Sequence, residues 1–160
     1  MTYLITLQYY VVLILGLISV CIAISNSFFL KKLIVKKTRL NKDIIISVLI
    51  PARNEEDKIS QCLDSLISQT YVNLEIIVLD DNSNDETADI VSRFVEDDKR
   101  VKLIHGEELP LGWGGKNWAC HQLYNSANGE YILFLDADTI FQKDTIASAI
   151  HESVSNNIDL

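Results

Sequence analysis

The run Ile44–Ile50 (IIISVLI) is almost wholly β-branched or aliphatic and is bounded by polar residues. A short apolar run of this kind reads as a strand covered on both faces, as in a parallel sheet. Leu74–Leu79 (LEIIVL) and Tyr131–Leu135 (YILFL) repeat the pattern, and Val101–His105 is a shorter version. Between these runs the apolar residues recur at helical spacing. Ile59, Cys62, Leu63, Leu66 and Ile67 form one such set; Ala88, Val91, Phe94 and Val95 form the next. Asn54 is a candidate cap for the first of these helices, with Asp57 three residues on. Two further helices are expected over about Lys116–Ala127, stopped by Asn128-Gly129, and over about Lys143–Ser155. Ile158-Asp159-Leu160 reads as the start of another strand. Strands alternating with helices imply the α/β class: a mainly parallel sheet with flanking helices, Rossmann-like.

In such sheets a ligand binds outside the carboxyl ends of the strands. The polar clusters fall there: PARNEE after the first strand, DDNSND after the second and DAD after the fourth. There is no G-x-G-x-x-G after the first strand, where Pro51-Ala-Arg-Asn-Glu stands, so a dinucleotide-binding Rossmann domain is disfavoured.

The segment preceding the first strand obeys another solvent. Leu7–Leu30 is uncharged and interrupted only by Gln8, Ser19, Ser25, Asn26 and Ser27. A bilayer core of roughly 30 Å needs about 20 such residues in a helix. Tyr3, Tyr9 and Tyr10 suit one interface, and Lys31, Lys32, Lys36, Lys37, Arg39 and Lys42 suit the other. By the positive-inside rule the basic side is cytoplasmic, so the expected protein is single-pass in the cell membrane, N-terminus outside and body inside. A cleaved signal peptide needs basic residues ahead of the apolar run, and none is there. Residues 1–42 thus read as anchor and basic linker, and 43–160 as the soluble domain. No acidic residue precedes Asp43, so the formal net charge of −8 understates the acidity of that domain. An acidic body argues against nucleic acid as a partner. Cys21, Cys62 and Cys120 are an odd set without metal-ligand spacing and read as free thiols in a reducing compartment.

Asp136 and Asp138 stand two apart at a strand end, which aims both the same way. Two hard oxygen ligands suit Mg²⁺ or Mn²⁺, which keeps waters and takes further ligands from substrate phosphates. The plainer reading is a pair of acidic turn residues ahead of a helix. Asp80 and Asp81 could bond a base or ribose; Asx turns and helix capping explain Asp85 without needing both. Gly112-Trp113-Gly114-Gly115-Lys116 precedes a helix, where backbone amides and Lys116 could cradle a diphosphate. It is not a P-loop, because no Ser or Thr follows the lysine. Trp113 in so glycine-rich a loop points to a closing lid or a membrane contact. His105, His121 and His151 are scattered and read as structural or surface residues.

Four motifs in order, ISVLIPARNEE, LEIIVLDDNSNDET, GKNWACHQL and GEYILFLDADT, together resemble the family 2 glycosyltransferases of the GT-A fold, over about Ile44 to Leu160. The resemblance implies a metal-dependent, inverting transfer of sugar from a nucleotide-sugar donor, UDP-linked by family habit. It places Pro51, Ala52, Arg53 and Glu55 against the nucleotide, Asp81 at the base, and Lys116 near the base or diphosphate. It makes Asp138 the metal ligand and sets Asp136 at the ribose or metal. The family's general base and acceptor half come from later strands, so the base is expected beyond Leu160 and the chain by itself is expected to be incomplete and inactive. The anchor together with LPLGWGGKNWA also resembles the branch that glycosylates carotenoid acids or accompanies hopanoid pathways, which implies a lipid-like acceptor.

Two alternatives belong beside this reading. One is a membrane-bound module that binds nucleotide sugar without turning it over. The other is a phosphatase of the haloacid-dehalogenase type, whose D-x-D opens with a nucleophilic aspartate. That motif normally begins its domain, whereas three strand–helix units precede Asp136, and Ile140 stands where Thr or Val is expected.

Overall fold

The computed structural model of the chain describes residues 2–29 and 44–156. The chain divides into two compact units, Met1–Ile34 and Val35–Leu160. The first holds α1 (Thr2–Phe29). Within it Ile5–Phe28, 24 residues with a mean hydropathy of 2.4, is long and apolar enough to cross a membrane. The basic linker and the strand expected at Ile158–Leu160 lie outside the described residues.

The second unit runs β1 (Ile46–Ala52), α2 (Ile59–Ile67), β2 (Leu74–Asp80), α3 (Thr87–Asp97), β3 (Val101–His105), α4 (Gly115–Ser126), β4 (Tyr131–Phe134) and α5 (Thr145–Asn156). The four strands form one parallel sheet in the order β3-β2-β1-β4. This is the α/β architecture expected from the alternation. The order adds what alternation leaves open. The chain steps outward from β1 to β2 to β3, then returns to lay β4 on the other side of β1. The direction of winding therefore reverses between β1 and β4, and a crevice opens at such a switch point.

Both central strands are buried because both faces are covered. Ile46, Val48, Ile50 and Ala52 of β1 pack with Ile59, Cys62, Leu63 and Leu66 of α2, Val91 of α3 and Ile146 and Ile150 of α5. On the opposite face Leu49, Ile77 and Leu79 meet Ala119 and Leu123 of α4. Successive strand residues point to opposite faces, so one continuous apolar run feeds two cores.

Three local expectations shift. β1 extends through Ala52 and begins at Ile46 rather than Ile44. α2 starts at Ile59 from Lys58, with no side-chain cap, so Asn54 does not cap it. Asn54 instead takes a left-handed backbone (φ 55°) and ties two loops together. Gly129, expected only as a helix stop, sits against β1: a Cβ there would lie 2.6 Å from Ser47 N and 2.8 Å from Ile45 O. Both atoms are backbone, at and just before the start of β1, and cannot swing aside, so only glycine fits.

Candidate functional site

Each strand end is shaped by contacts between distant loops. The loop after β1 and the loop after β2 are laced by five hydrogen bonds. Asn54 N donates to Ser83 Oγ (3.0 Å), and Asn84 N donates to Asn54 Oδ1 (2.8 Å). Glu55 N donates to Thr87 Oγ1 (2.8 Å), Glu56 N to Asp85 Oδ2 (3.2 Å), and Glu86 N to Glu56 Oε2 (2.9 Å). Asn54 and Asn82 both adopt φ of 55°, a region asparagine enters more readily than most residues. The lacing fixes the backbone on either side of Arg53 and Glu55.

The paired acidic residues after β2 separate. Asp80 is buried, and its Oδ1 accepts Ser83 N at 3.3 Å, an Asx-type turn. Asp81 N donates to Ala52 O (2.8 Å), and the Asp81 carboxylate approaches Arg53 Nη1 at 3.8 Å. Asp85 accepts from Thr87 N and Thr87 Oγ1, the Asx-type turn expected of it, while the N-cap of α3 is Glu86, without a side-chain cap, so the capping expected of Asp85 is not seen.

Pro51, Ala52, Arg53, Glu55, Asp81, Lys116, Asp136 and Asp138 all line one cleft of about 440 Å³, joined by Gly115, Ala119 and Ala137. The cleft opens at the carboxyl ends of β1 and β4, at the switch point. Its far wall is the start of α4, whose N-terminus has no side-chain cap. Uncapped amides there and the helix dipole favour an anion. Lys116 Nζ lies 2.6 Å from Asp136 Oδ1, and that carboxylate raises the lysine's pKa, so the ammonium stays charged. Lys58 Nζ lies 3.7 Å from Asp138 Oδ2. Lys58 was not singled out from the sequence, because a lysine ahead of a helix looks like ordinary solvated surface.

Among the described residues no three His, Cys, Asp or Glu side chains converge into a ready metal cage. Two exposed carboxylates, each drawing an ammonium group, are nevertheless a fitting partial site for Mg²⁺ or Mn²⁺, which takes remaining ligands from water and phosphate. The cysteines stay out of this chemistry. Burial, with the nearby Asp138 charge, pushes the Cys62 thiol up to about 11, and burial likewise raises Cys120.

Trp113, half-exposed at the end of the glycine-rich loop, packs edge-on against Trp118 (5.3 Å) and lies 5.1 Å from His121. Trp118 Nε1 donates to Glu107 O (3.3 Å), and Glu107 N donates to Gln122 Oε1 (2.8 Å). The loop is thus pinned to α4 by Trp113 and by the backbone of Glu107.

Residues 47–159 match the family model described as glycosyl transferase family 2. The chain belongs to that family. It is 35% identical over 116 residues to the Escherichia coli UDP-Glc:alpha-D-GlcNAc-diphosphoundecaprenol beta-1,3-glucosyltransferase WfgD, covering 72% of this chain and 44% of that one. Among solved structures, Staphylococcus aureus TarS 1–349 in complex with UDP superposes with a TM-score of 0.61 at 29% identity, covering 71% of this chain and 33% of that one. The mannosyltransferase PcManGT of Pyrobaculum calidifontis, solved with GDP-Man and Mn²⁺, gives a TM-score of 0.58 at 30% identity, covering 66% and 31%. The chain therefore spans less than half the length of these relatives, and what it shares with the solved ones is the GT-A-like parallel sheet with its flanking helices.

Proposed function

We propose that this chain forms the donor-binding part of a glycosyltransferase that takes a UDP-linked sugar together with a divalent cation. The observation carrying this reading is the convergence of the strand-end motifs on one cleft at the switch point of the sheet. In the proposal Asp81 holds the base, with Pro51, Ala52, Arg53 and Glu55 along the nucleotide. Lys116 and the open N-terminus of α4 take the diphosphate. Asp138 is the metal ligand, and Asp136 serves the metal or the ribose. A Mg²⁺ or Mn²⁺ ion there would offset charge on the departing diphosphate of an inverting transfer. The binding of UDP by TarS and of GDP-Man with Mn²⁺ by PcManGT supports a nucleotide donor and a metal. Titrating the chain in detergent with UDP, with and without Mn²⁺, is expected to show binding that Mn²⁺ tightens at least about tenfold. Equal affinity in the two titrations would refute the metal assignment.

The proposed acceptor is lipid-like and membrane-held. Support comes from the apolar α1 and from the diphosphoundecaprenol-linked acceptor named for the E. coli relative. In this reading residues 1–42 are anchor and linker, and residues 43–160 are the cytoplasmic donor domain. Phosphatase and fluorescent reporters fused after Asp43 check the topology. The fluorescent fusion should be bright and the phosphatase fusion, which requires export, silent; an active phosphatase would reverse the orientation.

A further inference from the structure

Lys58 has no part in the donor reading and does not line the cleft. Its backbone is nevertheless fixed at the site's edge. Lys58 N donates to Glu55 O at 3.0 Å, and Lys58 O accepts Cys62 N at 3.2 Å. From that anchored position its ammonium reaches to 3.7 Å from Asp138 Oδ2. Asp136 is paired more closely, accepting a hydrogen bond from Lys116 Nζ at 2.6 Å. Each carboxylate of the pair therefore faces an ammonium of its own, and the four charges cancel. A bare divalent cation approaching Asp138 meets little net attraction and one close positive charge.

The two lysines differ in what they can do next. Lys116 stands on the cleft wall and can pass from Asp136 to an incoming diphosphate. Lys58 does not line the cleft wall, and from the site's edge its ammonium faces Asp138. We propose that Lys58 is the resident counter-cation of Asp138 and holds down metal binding while the nucleotide is absent. The proposal rests on Asp138 being a metal ligand. Its consequence is an order of assembly: the metal enters with the diphosphate, whose negative charge compensates the lysines. Lys58 is a positioning residue in this account and touches no reacting atom.

The test is Mn²⁺ affinity, read from loss of the free-ion paramagnetic resonance signal, on the full chain in detergent. An exposed ion pair contributes little to folding, so the variants should be well folded. Without nucleotide, Lys58→Met should bind Mn²⁺ about five- to tenfold more tightly than the parent, the effect of removing one charge a few ångströms from the ion in a water-like medium. Lys58→Arg, which keeps the charge, should match the parent. Adding UDP should narrow the gap between Lys58→Met and the parent. Unchanged or weaker binding by Lys58→Met, or no detectable binding by either protein, overturns the inference. Asp138→Asn, measured with UDP present, separates the two ideas. If it binds Mn²⁺ normally, the metal-ligand reading fails and takes the Lys58 role with it. If it loses Mn²⁺ while Lys58→Met shows no gain, only the Lys58 role fails.

Discussion

Asp138→Ala is expected to remove the Mn²⁺-dependent part of UDP binding, a loss of at least about 100-fold in metal affinity, and to leave metal-free UDP binding and the melting temperature almost unchanged. The metal effect is large because the site has few protein ligands. Only Asp136 and Asp138 present carboxylates at the end of β4, and outer-sphere partners of a metal alone are worth about 10- to 100-fold. The fold effect is small because the Asp138 side chain is 53% exposed and its ion pair to Lys58 is exposed as well. Metal-free binding survives because Arg53, Asp81, Lys116 and the start of α4 remain in place. Calorimetry with UDP, run with Mn²⁺ and with chelator, reads both quantities, and thermal melts check the fold. Equal losses with and without Mn²⁺ would mean that Asp138 acts on the nucleotide directly.

Much of this site was visible in the linear chain because it is built at strand ends. A strand buried on both faces has to be apolar, so where the polar residues begin is where the strand stops and ligand chemistry starts. The clusters around Arg53 and Glu55, Asp81, and Asp136 and Asp138 stood out by that rule, while the resemblance to family 2 glycosyltransferases picked out the individual residues, Pro51 and Ala52 at the end of β1 among them. What escaped depends on contacts across distance. Asn54 looks like a helix cap, yet its partners Ser83 and Asn84 lie in another loop. Asp80 and Asp81 look equivalent, but neighbours at a strand end point to opposite sides, so Asp80 is buried in a turn and Asp81 enters the cleft. Strand order was not legible either: helical periodicity says that α4 crosses over the sheet, not that it returns to the far side of β1. Gly129 gave a stop signal of the ordinary kind, while its real constraint is the backbone of β1 behind it.

Glu75 is the other residue the sequence hid, and replacing it is expected to have the largest effect on stability. It is a lone charge in the apolar run of β2, 9% exposed, at the end of the sheet away from the cleft. Ser47 Oγ donates to Oε2 (2.6 Å), Lys102 Nζ to Oε1 (2.7 Å), Asn128 N to Oε2 (2.9 Å) and Asn128 Nδ2 to Oε1 (2.9 Å). One carboxylate thereby joins β1, β2, β3 and the turn before β4. Burial alone would raise its pKa, but the bonds from Lys102, Ser47 and Asn128 outweigh burial and bring it from 4.5 down to about 2. A depressed carboxylate adds stability that is fully present above its unfolded pKa of 4.5 and is lost as the pH falls toward about 2. The shift corresponds to about 3 kcal/mol. Glu75→Gln keeps the shape, removes the charge and turns an amide N–H₂ toward groups that are themselves donors. It should therefore cost about 3 kcal/mol at pH 7, as urea denaturation of the full chain in detergent would show. The cost should shrink as the pH drops from 4.5 toward 2, where the wild-type carboxyl also becomes neutral. A penalty that stays constant over that range would assign the loss to packing rather than charge. Because the network sits at the opposite ends of the strands from Asp81 and Asp138, the folded fraction of Glu75→Gln should still bind UDP as the parent does.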